Sequence, residues 1–330
     1  MKITYFHRKP FHFHQSIEKL FAEIRTKMPG DVEAEVKVAP FYSLGLIPRI
    51  KNILWARQQQ GEVNHITGDI HYIALGLKKS ITLLTIHDIG FIHHPNPIIR
   101  LILKIFWLII PIKRSALVTV ISQATKDHIL KHVRCSPDKI KVVPNAISPE
   151  WQKKEKIFND KEPILLQIGT KANKNLERVV EAIRDVKCKL KIVGKLSAQQ
   201  EALLKKFRIN YENYFNISEI ELMHHYETSD IVVFCSTLEG FGLPIIEAQS
   251  VGRVVVTSNL SAMPEVAGEG ACFVDPYDVI SIKEGILHVM NDSNYRVMLI
   301  NKGFENIKRF DPVVTAQQYY QLYRQIIENA

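Results

Sequence analysis

Short apolar runs alternate with stretches of roughly 3.6-residue periodicity along nearly the whole chain. In the first half the runs at 2–6, 63–67, 81–87, 117–121 and 141–143 predict buried strands, and 14–27, 43–60, 97–113 and 123–132 predict helices. Such alternation is the pattern of parallel sheets joined by crossover helices. The polar, charged stretch between Pro149 and Pro163 carries no long apolar run and predicts a linker over 151–162. The alternation then restarts. Strands are expected at 164–168, 190–193, 214–216, 230–235 and 254–257, with a short one near Phe273; helices are expected at 173–184, 197–208, 219–228, 277–290 and 293–309. Ser218 followed by Glu221 reads as a capping box for 219–228. Asp311-Pro312 reads as an N-cap and an N1 proline, opening an amphipathic helix through Val314, Tyr319, Leu322 and Ile326. The fold class is therefore α/β, with two doubly wound Rossmann-like domains, 1–150 and 163–310, facing a central cleft.

Composition agrees with this reading. A chain of 330 residues with 46% hydrophobic and 23% charged residues is natural for two globular domains. No apolar run reaches a transmembrane length; the nearest, 98–112, is interrupted by Arg100 and Lys104 and broken by Pro111. The start of the chain, a short strand followed by His7-Arg8-Lys9, lacks a signal-peptide pattern. The four cysteines are scattered with no CxxC, so reduced thiols in a cytoplasmic protein are expected.

Charge changes the picture more. The net charge is +9, and residues 1–150 hold 21 Lys and Arg against 11 Asp and Glu, while the remainder holds 22 against 23. A basic surface attracts phosphorylated substrates, anionic membranes or nucleic acid. No aromatic–basic interleaving favours nucleic acid, so no nucleic-acid partner is expected. The basic, apolar helix at 97–114 reads either as a membrane-surface helix or as a core crossover helix. The histidine pairs 93/94 and 224/225, with His12 and His14, do not converge on a metal, and none is expected.

Three stretches carry candidate chemistry. In 236–248 a glycine turn follows a strand and leads into a helix with Pro244 in its first turn. The amides of Gly240, Phe241, Gly242 and Leu243 would then sit at a helix N-terminus suited to phosphate. Glu239 precedes the turn and Glu247 lies about one turn inside the helix; the plainer alternative is a loop glutamate and an exposed first-turn glutamate. In Gly169-Thr170-Lys171-Ala172-Asn173-Lys174 a strand ends on glycine with cations in reach. That reads as a diphosphate site, or as an N-cap at Asn173 with exposed lysines. Third, His87 and Asp88 end a strand, where a lone histidine is more often structural.

The spacing of Glu239 and Glu247 around the glycines resembles the Glu-x7-Glu signature of the retaining GT-B glycosyltransferases of family 4. The resemblance continues through 226–230, Gly252, 264–268 and Asp275-Pro276, covering 163–330 and more loosely 81–147. It implies that Glu247 binds the ribose, Glu239 the transferred sugar, and Gly240 to Leu243 the sugar and diphosphate. It implies Gly169, Thr170 and Lys174 on the diphosphate, His87 at the donor sugar and the backbone at Ile217 near the base. His87, Lys174 and Glu239 are thus the expected catalytic residues.

The implied reaction is metal-independent, retaining transfer from a nucleotide diphosphate sugar to a hydroxyl of a glycan or lipid-phosphate-linked acceptor. No cofactor beyond that donor is implied. The basic excess of residues 1–150 suggests a lipid-phosphate-linked acceptor at the inner membrane surface, as in bacterial surface polysaccharide synthesis, with the protein peripheral on that anionic surface. A helix at 311–330 crossing back to the first domain is implied as well. Thr170 stands where many members carry arginine, and Ala146 replaces the glycine of Pro-Asn-Gly. The glycine-rich loop after the first strand is replaced by His7-Arg8-Lys9-Pro10. A non-catalytic glycan- or partner-binding module and a nucleotide-sugar epimerase on this fold are the rival readings.

Overall fold

The computed structural model describes residues 1–10 and 16–330. The expected helix start at 14, and His12 and His14, lie outside the described residues. The chain divides into two compact units, one of Met1–Ser148 with Asp311–Ala330 and one of Pro149–Phe310.

Unit 1 is built on strands β1 (Lys2–His7), β2 (Glu33–Val38), β3 (Val63–Ile66), β4 (Thr82–Ile86), β5 (Leu117–Val120) and β6 (Ile140–Val142), in the order β2-β1-β3-β4-β5-β6. Every pairing is parallel. Successive side chains of a strand face opposite ways, so β1 sends Ile3 and Tyr5 into one core and Phe6 into another. Both faces of the sheet are therefore covered.

The helix Pro312–Glu328 lies over the Ile3 and Tyr5 face with Tyr319, Leu322, Tyr323 and Ile326. Asp311 caps it, accepting from the Val313 amide at 2.7 Å, with Pro312 at its start. Beneath it runs a buried polar chain. His65 Nδ1 lies 2.7 Å from Tyr323 Oη, and His65 Nε2 lies 2.7 Å from Thr85 Oγ1. Tyr323 in turn donates to Tyr5 Oη at 3.1 Å. Burial holds His65 well below the ordinary histidine pKa, so it stays neutral inside this network.

Two elements of unit 1 differ from the sequence reading. β2 is an edge strand, largely exposed: its sequence Glu-Ala-Glu-Val-Lys-Val sets Glu33, Glu35 and Lys37 on one face and Ala34, Val36 and Val38 on the other, and no residue of either face is buried. The expected helix over 97–113 is an α-helix at Pro97–Leu103, a π-turn at Lys104–Ile109 and an α-turn at Ile110–Lys113. Pro111 has no N–H for the carbonyl of Trp107 four residues back. That carbonyl accepts instead from His71 Nδ1 at 2.8 Å. Only the second part enters the core, through Leu108, Pro111 and Ile112.

Unit 2 has β7 (Ile164–Ile168), β8 (Lys189–Val193), β9 (Tyr211–Tyr214), β10 (Ile231–Phe234), β11 (Val254–Ser258) and β12 (Cys272–Val274), ordered β12-β11-β10-β7-β8-β9 and all parallel. The chain winds one way from β7 to β9 and the other from β10 to β12. The fork between β7 and β10 is therefore the topological switch point, where ligands of such sheets bind. The short strand expected at 214–216 instead pairs Tyr211–Tyr214 with β8, and Asn216 turns to φ 56°. The Ser218–Glu221 capping box is present.

Residues 151–162 carry no helix or strand. They are tied to unit 2. The Trp151 ring meets Tyr226 edge-on at 5.0 Å, and the buried Asp230 carboxylate accepts from the amides of Asn159 (3.1 Å) and Ile164 (2.8 Å) and from Lys156.

The helix expected over 173–184 is a 3-10 turn at Ala172–Lys174, then Asn175 in the left-handed region (φ 61°), then a helix at Leu176–Ala182. Asparagine tolerates this conformation because its side chain bonds locally. Here Asn175 Nδ2 donates to the carbonyls of Cys235 (3.0 Å) and Pro276 (2.7 Å). Asn175→Ala should cost about 2 kcal/mol, since two buried carbonyls lose a donor and a Cβ-bearing residue without a local bond is left at positive φ. Denaturant midpoints test this; Asn175→Gly, which keeps the backbone freedom, should lose less.

Candidate active site

The carboxyl ends of β7 and β10 lie side by side at the switch point, and the two loops leaving them are knitted together. After β7, Gly169 adopts φ +88°, and a Cβ there would lie 2.8 Å from Lys174 Cγ. Glycine is required so that the lysine can fold back over the strand end. After β10, the backbone amide of Thr237 donates to Asn173 O at 2.8 Å. Asn173 Nδ2 donates to Leu238 O (3.0 Å) and to Glu239 Oε1 (3.2 Å). Asn173 is thus a bridge between loops, inside the 3-10 turn, and not the helix cap it resembles in sequence.

Lys174 and Glu239 meet at the centre. Lys174 Nζ donates to Glu239 Oε1 at 2.6 Å and sits 4.6 Å over the Phe234 ring. The side chains are 20% and 15% exposed, so the pair is shielded from bulk water yet open on one side. Ser261 Oγ fixes the backbone of Glu239, accepting from its amide (3.3 Å) and donating to its carbonyl (2.7 Å).

Downstream, Gly242 at φ +108° caps the helix Leu243–Ser250, with Pro244 in its first turn. The amides of Phe241, Gly242 and Leu243 have no acceptor among the described residues. They form the positive end of a helix dipole. Two further polar atoms at this fork, Gln167 Oε1 and Ser236 Oγ, are buried without partners.

Glu247 lies inside that helix and is held from below. Tyr226 Oη donates to Glu247 Oε2 at 2.5 Å. Burial pushes the Glu247 carboxyl up to about 7; the Tyr226 bond and Lys174 pull it down, and Glu219 adds to the rise. Tyr226 itself is pushed well above its ordinary value, first by burial and then by the glutamate.

Residues 149–306 match the family described as Glycosyl transferases group 1, and residues 29–151 match Glycosyltransferase Family 4. The chain is a glycosyltransferase. Among its relatives, O-antigen chain mannosyltransferase B of Escherichia coli is 26% identical over 285 residues, 78% of this chain and 72% of that one. O-antigen chain mannosyltransferase RfbU of Salmonella typhimurium is 27% identical over 242 residues, 68% and 67% of the two chains. Among solved structures, a sucrose-phosphate synthase from Thermosynechococcus elongatus aligns over 100% of both chains with a TM-score of 0.79 at 15% identity. Anabaena HepE in complex with UDP and glucose aligns over 98% of this chain and 100% of that one, with a TM-score of 0.77 at 16% identity. These likenesses show the GT-B fold.

The unit 2 residues singled out in this glycosyltransferase from sequence fall into two groups. Gly169, Lys174, Glu239, Gly240, Phe241, Gly242, Leu243 and Glu247 gather at the β7/β10 fork or in the helix that leaves it. Thr170 is in the same loop, but its hydroxyl donates to Lys195 O at 2.6 Å, anchoring the loop to the end of β8. Ile217 is further out, beyond the edge strand β9.

His87 belongs to unit 1, at the end of β4. Its Nε2 donates to Thr67 O at 2.9 Å, and burial lowers its pKa, so the ring is neutral with Nδ1 unprotonated. Ser122 caps the helix Gln123–Leu130 by accepting from the Thr125 amide at 3.1 Å.

Sequence reasoning missed Tyr226 under Glu247, Asn173 as the bridge, Ser261 behind Glu239 and Phe234 beneath Lys174. Tyr226 and Asn173 stand inside the stretches singled out, but only the folded sheet shows what they touch.

Proposed function

We propose that this glycosyltransferase moves a sugar from a nucleotide diphosphate sugar to a hydroxyl of a glycan or lipid-phosphate-linked acceptor, with retention at the anomeric carbon. The observation that carries this reading is the Lys174–Glu239 pair set beside the amides of Phe241, Gly242 and Leu243 at the switch point. Cation and amides together suit a diphosphate, and a carboxylate beside them suits sugar hydroxyls. Glu247 is one helical turn after Leu243, and its carboxylate suits the ribose hydroxyls.

In the reaction the bond from the anomeric carbon to the diphosphate oxygen breaks while the acceptor oxygen bonds to the same face. The acceptor proton passes to a donor phosphate oxygen. Lys174 and the amides stabilise the charge that grows on the leaving diphosphate, and His87 contacts the donor sugar. No protein nucleophile and no metal take part.

The names of the relatives support a mannosyl donor and a role in O-antigen-type surface polysaccharide assembly, and the basic excess of residues 1–150 supports a setting at an anionic membrane surface. A thermal-shift panel of GDP-, UDP- and ADP-sugars tests the reading. A nucleotide-activated mannose at about 100 times its Kd should stabilise the fold by about 2.7 kcal/mol. Its transfer product should keep the donor's anomeric configuration by NMR. If no nucleotide sugar raises Tm, the site reading fails; if the product is inverted, the mechanism does.

A further inference from the structure

Unit 1 carries two helices whose faces are reversed relative to an ordinary surface helix. The helix Leu46–Gln58 turns Asn52 and Ala56 to the core, and Asn52 is bonded there to Phe41 O (2.9 Å) and Tyr72 Oη (2.9 Å). To solvent it presents Ile47, Ile50 and Leu54, exposed by 67, 46 and 55%. The helix Pro97–Leu103, Pro-Ile-Ile-Arg-Leu-Ile-Leu, buries no residue at all. Ile98, Leu101 and Ile102 stand 68, 57 and 45% exposed. In water such side chains belong in a core, and a contiguous apolar surface marks an interaction site.

The two helices share one support. Both the first helix and the π-turn that continues the second pack on the 3-10 helix His71–Leu75. The Tyr72 ring lies 5.1 Å from Trp107, and the Arg49 guanidinium lies 4.6 Å over Trp107.

Charge names the occupant. Between Glu35 and Glu62 the chain has Lys37, Arg49, Lys51 and Arg57 and no carboxylate. Between Asp88 and Asp127 it has Arg100, Lys104, Lys113, Arg114 and Lys126, again with no carboxylate. A second copy of this chain would bring the same cations face to face. An anionic bilayer surface meets both features, with phosphates for the cations and an acyl boundary for the aliphatics.

We infer that the solvent faces of Leu46–Gln58 and Pro97–Leu103 form a membrane-docking surface that seats this unit in the interface of an anionic lipid bilayer. The inference deepens the lipid-linked setting proposed above. Lipid binding is read without donor or acceptor, so its failure leaves the transfer reading intact.

Co-sedimentation of the full chain with vesicles tests it. Binding to phosphatidylcholine vesicles containing about 30% phosphatidylglycerol should exceed binding to phosphatidylcholine alone by about tenfold at ~0.1 M salt, and should weaken as salt rises. The pairs Ile47→Ser/Leu54→Ser and Ile98→Ser/Leu101→Ser should each lower that binding about tenfold at unchanged Tm. Arg100→Gln/Lys104→Gln should flatten the salt dependence. Equal binding to both vesicle types would overturn the inference, as would apolar variants that bind like the parent chain. A dimer in sedimentation velocity, broken by the same variants and without lipid binding, would give the surface to a second copy instead.

Discussion

Replacing Lys174 with alanine is expected to lower kcat for sugar transfer by about 10²–10³-fold, the loss found when one preorganised charge stabiliser is removed from a water-poor site. Lys174 is the cation that the fold itself positions at the β7/β10 fork, laid over Phe234 and bonded to Glu239. Its ammonium is worth most where charge grows, on the leaving diphosphate, so kcat should fall more than KM rises. Lys171, two residues after Gly169 and exposed, is the control, and Lys171→Ala should cost less than about tenfold. Lys174→Ala also leaves Glu239 with Asn173 as its remaining side-chain donor. A small drop in Tm should accompany the kinetic loss. Initial rates at saturating donor decide the matter, and a Lys174→Ala enzyme within about threefold of the parent would remove Lys174 from the mechanism.

Glu247 gives the second large effect. Its carboxyl, raised to about 7 chiefly by burial, is half protonated near neutral pH in the free enzyme. Two ribose hydroxyls donating to it would favour the ionised form. Donor affinity should therefore rise as pH climbs from 6 to 8 and level off above, and binding near pH 6.5 should release a proton. Calorimetry in buffers of different ionisation enthalpy measures that proton. Glu247→Gln should weaken donor binding by about 10–100-fold at pH 8 and abolish the pH dependence.

Stability should move the other way. A carboxyl whose folded pKa lies above its ordinary value of 4.5 keeps its proton when the unfolded chain has lost it. Stability is then eroded as pH rises from about 4.5 through about 7. Glu247→Gln removes this slope, so at pH 8 the variant should be no less stable than the parent while binding donor worse. A parent chain that shows the same pH slope as Glu247→Gln would show that the glutamate is ionised throughout.

Much of this was legible in the sequence because buried parallel strands are written as nearly unbroken apolar runs. β4, β5, β7, β10 and β11 all read in that way. β2 did not, because the alternating valines of this edge strand, Val36 and Val38, stay exposed and form no apolar run. The break at Asn175 was hidden for a different reason, since nothing in the local sequence says that two distant carbonyls will reward a left-handed turn.

The candidate site was legible as two separate loops. Its chemistry was less so. Lys174 and Glu239 were expected to face different parts of a ligand, yet they bond each other across 65 residues of chain. Tyr226 and Glu247 sit on separate helices, and only the sheet between them brings the phenol beneath the carboxyl. The helix at 97–113 was read as either a membrane helix or a core helix. In unit 1 its second part enters the core and its first part remains in solvent.

The contact between His65 and Tyr323 has a consequence for synthesis. The two residues are 258 positions apart, and the whole of unit 2 is made between them. At translation speeds of about 5–20 residues per second, His65 waits on the order of 13–50 seconds for the helix that covers it. During that interval Ile3, Tyr5, Phe21 and Leu83 lack the Tyr319, Leu322 and Tyr323 side chains that complete their core. Unit 2 is contiguous in sequence and can close first. The half of the protein that emerges from the ribosome earliest is therefore the half that finishes last, and its open sheet face is where a chaperone would find the nascent chain.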